Sequence, residues 1–180
     1  LGVTRLMIEN RWYDEAFIKA FTDFPLLVRT ATLARLRAHE VFPGYRTTLA
    51  PDGPSMKVQG LTDEQHAKLG DYVIWDEGAK ALRAVTRDDV GERMKQKGIA
   101  PALAGTFRVK LVGGAEVECA TLWTLYQTHL KDYDLDTVAD ITRAPKALID
   151  QLATDIATIK PVGIHQGEGI NHWFHATEMN

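Results

Sequence analysis

Val162-Gly-Ile-His-Gln-Gly-Glu-Gly-Ile-Asn-His-Trp-Phe-His-Ala-Thr-Glu-Met-Asn180 closes the chain and sets the reading of everything before it. A short apolar run, Val162 and Ile164, enters a turn that carries Gly167 and Gly169, with His165, His172 and His175 crowded around it. Glycine takes positive φ freely and lets backbone approach a ligand closely. A strand-to-helix turn also exposes amide hydrogens that suit anionic groups. The pattern predicts a strand before Gly167 and a helix after Asn171, with Asn171 as N-cap and His172 and His175 one turn apart on a shared face. Strand, glycine turn and helix are the ending of half an open α/β sheet, whose ligands bind beyond the carboxyl ends of the strands. The expected class is therefore α/β: part of an open, mostly parallel sheet flanked by helices, with a small antiparallel β-hairpin insertion. The chain starts at Leu1 without an initiator Met and stops inside the tail helix. The expectation is a piece of a longer protein.

Composition bounds the alternatives. The 180 residues suffice for one domain with a real core, and we expect one over 1–180. Apolar residues at 45% and charged residues at 25% are ordinary for a globular protein. A net charge of −3 argues against an extended nucleic-acid footprint. No stretch approaches the roughly 18 apolar residues of a membrane span, so no direct membrane insertion is expected. The single cysteine, Cys119, excludes an internal disulfide or a cysteine-ligated cluster within this chain. Its alternating context reads as a buried strand thiol.

Ahead of the tail, the elements follow from spacing. Val3, Leu6 and Met7 fall at helical intervals. Asp14 caps a short helix with Phe17, Ile18 and Phe21 on its inner side, ended before Pro25. Thr22-Asp-Phe-Pro-Leu-Leu-Val28 runs from a turn into a strand, and Arg29, Arg35 and Arg37 follow as a basic cluster, either phosphate-directed or solvated. Residues 42–60, rich in Pro and Gly, read as a surface excursion. Thr62 and Gln65 have capping-box spacing, with Gly70 to close that helix. Tyr72 to Trp75 and Ala81 to Val85 form a hairpin across Asp76-Glu-Gly-Ala79. Arg87 to Gly98 is a charged helix or loop.

A second hairpin alternates Phe107, Val109 and Leu111 with Arg108 and Lys110, turning at Gly113-Gly114 into Val117 and Cys119. A two-residue turn would set Lys110 opposite Val117. A three-residue loop instead pairs Lys110 with Glu118 and Leu111 with Val117, which keeps the faces consistent. From Thr121 the period lengthens to 3.6: one helix carries Leu122, Trp123, Leu125, Tyr126 and Leu130, and a second is capped by Asp134. A third, opened by Pro145, carries the stripe Leu148, Ile149, Leu152, Ala153 and Ile156. Ile159 to Ile164 is expected to return as a strand. Residues 29–119 thus read as an insertion with β-hairpins, and 120–180 as an α/β core piece.

At the tail the residues alone leave several chemistries open. His172-x-x-His175, with His165, has the count of a catalytic zinc site. The same histidines can be packed or hydrogen-bonded ones, or can contact a cofactor or substrate. Gly167-Glu168-Gly169 begins like a dinucleotide fingerprint, but His172 stands where its third glycine belongs. Glu168 is either a general base or a solvated turn carboxylate. His39, His66 and His129 have no partner pattern. Neither a nucleophile elbow nor a P-loop is present.

The motifs do carry a resemblance. Gly167-Glu-Gly-Ile-Asn-His-Trp-Phe-His175 resembles the Gly-x-Gly-Leu-Asn-His-Trp-Tyr-His stretch of respiratory nitrate reductase catalytic (alpha) subunits, and residues 22–28 resemble their Thr-Asp-Met-Pro-x-Leu-Val stretch. The hairpin, the helix from Thr121 and the run from Val138 to Ala153 look like the connecting region of molybdopterin oxidoreductases of the dimethyl sulfoxide reductase class. Residues 29–106 match poorly. Nitrite oxidoreductases and enzymes acting on selenate, chlorate, dimethyl sulfide or a hydrocarbon are therefore also in view.

The resemblance implies oxygen-atom transfer between nitrate and nitrite at a bis-molybdopterin guanine dinucleotide cofactor, with molybdenum bound in the full-length protein. It also implies iron–sulfur clusters elsewhere in the parent chain, an iron–sulfur electron-transfer subunit, and a place in a membrane-associated respiratory complex. By position, Asn171, His172 and His175 would act near the metal or a pterin edge, and Gly167, Glu168, Gly169 and Trp173 would contact the cofactor. No residue here is a metal ligand, and the isolated chain is expected to bind no cofactor and to be inert. The competing reading is a non-catalytic α/β binding or scaffold module.

Overall fold

In the computed structural model, residues 1–46 and 71–164 are described. The chain divides into two compact units, Asp14–Asp132 and Leu1–Tyr13 with Tyr133–Asn180.

The first unit holds all the strands found among the described residues. It opens on α1′s successor in the chain, the helix α2 (Glu15–Phe21), whose N-cap Asp14 accepts the Phe17 amide at 2.9 Å as its position predicts. Its expected inner face is corrected: Phe17 and Phe21 are 56% and 57% exposed and pack on each other, ring centroids 5.1 Å apart. The chain then runs through β1 (Leu27–Arg29), α3 (Ala38–Val41), β2 (Tyr72–Asp76), β3 (Ala81–Val85) and α4 (Glu92–Gln96). β4 (Thr106–Lys110), β5 (Glu116–Thr121) and α5 (Leu122–Leu130) complete it. Two sheets result, β1-β5-β4 and β2-β3.

Among the described residues every ladder is antiparallel, so the open parallel sheet expected from the sequence is not what they form. A parallel pair needs a crossover of a dozen or more residues between strands. Here the strands meet through short hairpins and through β1 lying beside β5. The helices after β5 lead to no further strand among the described residues. Ile159 only caps the last helix, and Ile159, Val162 and Ile164 are exposed without a ladder partner. Pro161 has no N–H to give one.

The β4–β5 register carries a second correction. Lys110 faces Glu116 and Val109 faces Val117, two residues away from the expected pairing. The loop is odd in length, as expected, because the Leu111 amide bonds to the Ala115 carbonyl at 2.8 Å across Val112-Gly113-Gly114. A shift of two preserves the faces, so Val109 and Cys119 are fully buried while Arg108 and Lys110 stay exposed. The core that results joins Leu27, Leu36, Ala38, Val73, Val109 and Cys119, and Trp75 stacks on Phe107 at 5.0 Å. Thr121 ends β5 and caps α5, accepting the Thr124 amide at 3.2 Å. α5 is held by Trp123, whose ring meets Phe24 edge-on at 5.1 Å.

The other unit is helical. It comprises α1 (Gly2–Glu9), α6 (Leu135–Thr142) and α7 (Lys146–Thr158). Asp134 caps α6 by accepting the Thr137 amide at 2.8 Å, as expected. α1 comes so close to α6 that a β-carbon on Gly2 would lie 2.7 Å from Val138 Cγ2. Of the α7 stripe, Ile149 and Ala153 are buried, whereas Leu148 and Leu152 are 64% and 51% exposed.

Candidate functional site

Asn171, His172, His175, Gly167, Glu168, Gly169, Trp173 and His165 all lie outside the described residues, as do His66, Thr62, Gln65 and Gly70. Among the described residues, the concentration of charge around Tyr72 is the feature that looks most like a site.

Tyr72 opens β2 and is almost fully buried. The guanidiniums of Arg37, Arg35 and Arg87 stand 4.7, 5.5 and 6.0 Å from its ring centroid. Arg87 also donates to the phenol oxygen at 3.3 Å. Burial pushes the phenol up, but hydrogen bonds from Arg35 and Arg87 and the charges of Arg37 and Arg87 outweigh it. The net result lies below the ordinary tyrosine range. Three cations around one aromatic ring also gain quadrupole attraction.

The basic cluster noticed in the sequence is therefore split by the fold. Arg35 and Arg37 converge on Tyr72, while Arg29 turns to Glu40 at 2.6 Å. Arg37 reaches Tyr72 because the two residues bridge as an isolated antiparallel pair. Arg87 was invisible as a member because the β2–β3 hairpin, and nothing local, returns it to the head of β2.

Beside Tyr72 is a cavity of about 220 Å³, wholly within the Asp14–Asp132 unit. Leu26, Ile74 and Val85 belong to a second core cluster with Tyr72 and Ile99, against which Met94 packs, and they form its floor. Lys19, Arg35 and Arg87 supply its cationic wall. Asp23 is taken by Arg35 at 2.8 Å, and Asp89 by Lys97 and by the Thr86 amide at 2.8 Å. Such a place can hold an anion; it holds no nucleophile–base pair.

The described residues also bear on whether an implied metal group fits them. They contain no group of three or more His, Cys, Asp or Glu able to hold a metal ion. Cys119 is buried in β5, where desolvation pushes its thiol up, away from the thiolate a metal would need. The described residues thus offer no multi-residue metal site, and their one cysteine cannot by itself hold an iron–sulfur cluster. Among them, no helix is long and apolar enough to cross a membrane.

No family model matches the chain. Comparison with curated proteins is more informative. Over 182 residues the chain is 28% identical to the respiratory nitrate reductase subunit alpha of Haloferax mediterranei, covering 97% of this chain and 17% of that protein. Over 183 residues it is 26% identical to the perchlorate reductase subunit alpha of Dechloromonas aromatica, covering 98% of this chain and 19% of that one. The chain is homologous to part of these reductase alpha subunits. A dopamine dehydroxylase of Eggerthella lenta matches at 23% identity over 209 residues, with 88% of this chain and 20% of that protein covered. These relatives agree with the resemblance to molybdopterin oxidoreductases carried by residues 22–28 and 167–175. The chain spans about a fifth of the length of the relatives it matches.

Proposed function

We propose that this chain is part of the alpha subunit of a molybdenum-dependent oxyanion reductase, with nitrate and nitrite as its substrate pair. The observation that carries the reading is similarity over nearly the whole chain to two alpha subunits named for oxyanion reduction. The tail motif supports the nitrate and nitrite branch, while the perchlorate reductase relative keeps chlorine oxyanions in the same class. In this reading the remaining domains of the subunit and an iron–sulfur electron-transfer subunit complete a membrane-associated complex.

A bis-molybdopterin guanine dinucleotide, when bound, supplies the oxygen-atom chemistry, and the protein supplies orientation and electrostatics. In this reading the protein ligand to molybdenum comes from another part of the subunit. The chain's own contribution is assigned to its tail. Gly167 and Gly169 admit backbone close to the pterin, with Glu168 and Trp173 beside it. Asn171 orients substrate by hydrogen bonding. His172 and His175 hold a proton on imidazole nitrogen in the pH range where histidine titrates.

His172 is the residue we expect to matter most. In the full-length enzyme, His172→Gln lowers kcat for nitrate reduction by about 100-fold, the size of a lost general acid, while molybdenum content is unchanged. His175→Gln has the smaller effect. Wild-type kcat in a molybdenum-loaded His172→Gln enzyme would remove the residue from the site.

A further inference from the structure

The cavity beside Tyr72 has no role in the chemistry assigned to the tail, and its lining sets three cations, Lys19, Arg35 and Arg87, against two carboxylates, Asp23 and Asp89. Lys19 is paired with Glu15 at 2.9 Å and Glu77 at 3.1 Å, and Arg35 with Asp23 at 2.8 Å. Asp89 is engaged by Lys97 and by the Thr86 amide. Arg87, exposed at the mouth, has no carboxylate partner among the described residues and donates a hydrogen bond to the Tyr72 phenol oxygen at 3.3 Å. Below this guanidinium the wall becomes apolar, through Leu26, Ile74, Val85 and Met94.

We propose that this cavity binds a small organic monocarboxylate, its apolar body on the Leu26, Ile74, Val85 and Met94 floor and its carboxylate on Arg87 and the Tyr72 hydroxyl. A guanidinium presents a planar fork that matches a carboxylate in two parallel hydrogen bonds. A pocket with apolar lining and few convergent polar groups is the usual form of a small-molecule site. The space of about 220 Å³ exceeds what a bare inorganic oxyanion fills. Such an ion would gain nothing from the floor, so the pairing of one free cation with an apolar floor selects an organic anion. The same arginines, Arg35, Arg37 and Arg87, hold the Tyr72 phenol below its ordinary range.

Benzoate is the probe, titrated calorimetrically into the 180-residue chain, with nitrate and benzyl alcohol as comparators. Benzoate binds at one site per chain. Arg87→Ala weakens it at least about 10-fold, the loss of one charge-assisted contact, and Arg87→Lys restores part of the affinity. Nitrate and benzyl alcohol each bind at least about 10-fold more weakly, lacking one of the two kinds of contact. Ultraviolet titration of the phenols gives a second readout that needs no variant: bound benzoate raises the Tyr72 transition, because a nearby anion disfavours phenolate. Benzoate binding that is undiminished in Arg87→Ala, nitrate binding as tightly as benzoate, or no saturable binding and no shift of the phenol would overturn the proposal. None of these outcomes depends on molybdenum, so failure here leaves the oxyanion reductase reading standing, and the reverse holds too.

Discussion

Asp76 shows what one buried charge does in this fold. It ends β2 with a side chain 1% exposed. One carboxylate oxygen accepts the Gly78 and Ala79 amides at 2.9 and 3.1 Å, and the other accepts the Arg83 guanidinium at 2.8 Å. Burial pushes the carboxyl up, but these three donors outweigh it and hold it below its ordinary 3.8. A group depressed in the folded state stabilises the fold above its unfolded pKa, and that contribution is lost as pH falls through the folded value. Asp76→Asn is therefore expected to cost about 2–3 kcal/mol at pH 7 and less at pH 2. Urea unfolding at the two pH values checks this; an equal loss at both would remove the ionic explanation. The turn at Asp76 was legible in the sequence because Asp before a glycine closes its own backbone turn. Its buried ion pair with Arg83 was not, and neither was the meeting of Arg35, Arg37 and Arg87 on Tyr72. Those contacts depend on how the β2–β3 hairpin lies, which no local spacing states.

At the scale of elements, β1 is the three-residue strand on which the larger sheet depends. Leu27 pairs with Thr121 and Val28 with Ala120, and Leu27 is fully buried in the core shared with Val73, Val109 and Cys119. Leu27→Ala leaves a cavity there and is expected to cost about 2–5 kcal/mol. Thermal unfolding measures it, and a loss under about 1 kcal/mol would mean that the core collapses around the gap. Caps and hairpins were readable because each follows from a few adjacent residues: Asp14 and Asp134 both cap as their positions require. Alternation in 107–119 fixed which side chains face inward, but not the register, since slipping by two leaves every face unchanged. The apolar residues from Ile159 to Ile164 suggested a strand because apolar content alone does not supply a partner strand. The parallel sheet expected from that strand was lost with it.

For the whole chain, what remains exposed is informative. In the helical unit, Leu148 and Leu152 on α7 and Ile141 on α6 are all largely exposed. Leu148 and Leu152 lie one turn apart on α7, and exposed apolar side chains placed together in this way drive association. We expect the 180-residue chain to self-associate at micromolar concentration, and Leu148→Ser with Leu152→Ser to reduce it without loss of helix. Sedimentation velocity decides the point, and a wild-type monomer at those concentrations would contradict it. The kinship with reductase alpha subunits was legible from residues 22–28 and 167–175, whereas the anion-suited cavity was not, because its walls come from five separate stretches of chain. The most direct test of the functional reading is a molybdenum assay with viologen-driven nitrate and perchlorate reduction. It is run on the full-length polypeptide and, beside it, on the 180-residue chain from the same host. Stoichiometric molybdenum with oxyanion turnover in the first and neither in the second is the predicted result. A full-length polypeptide that carries no molybdenum and reduces neither anion would contradict it.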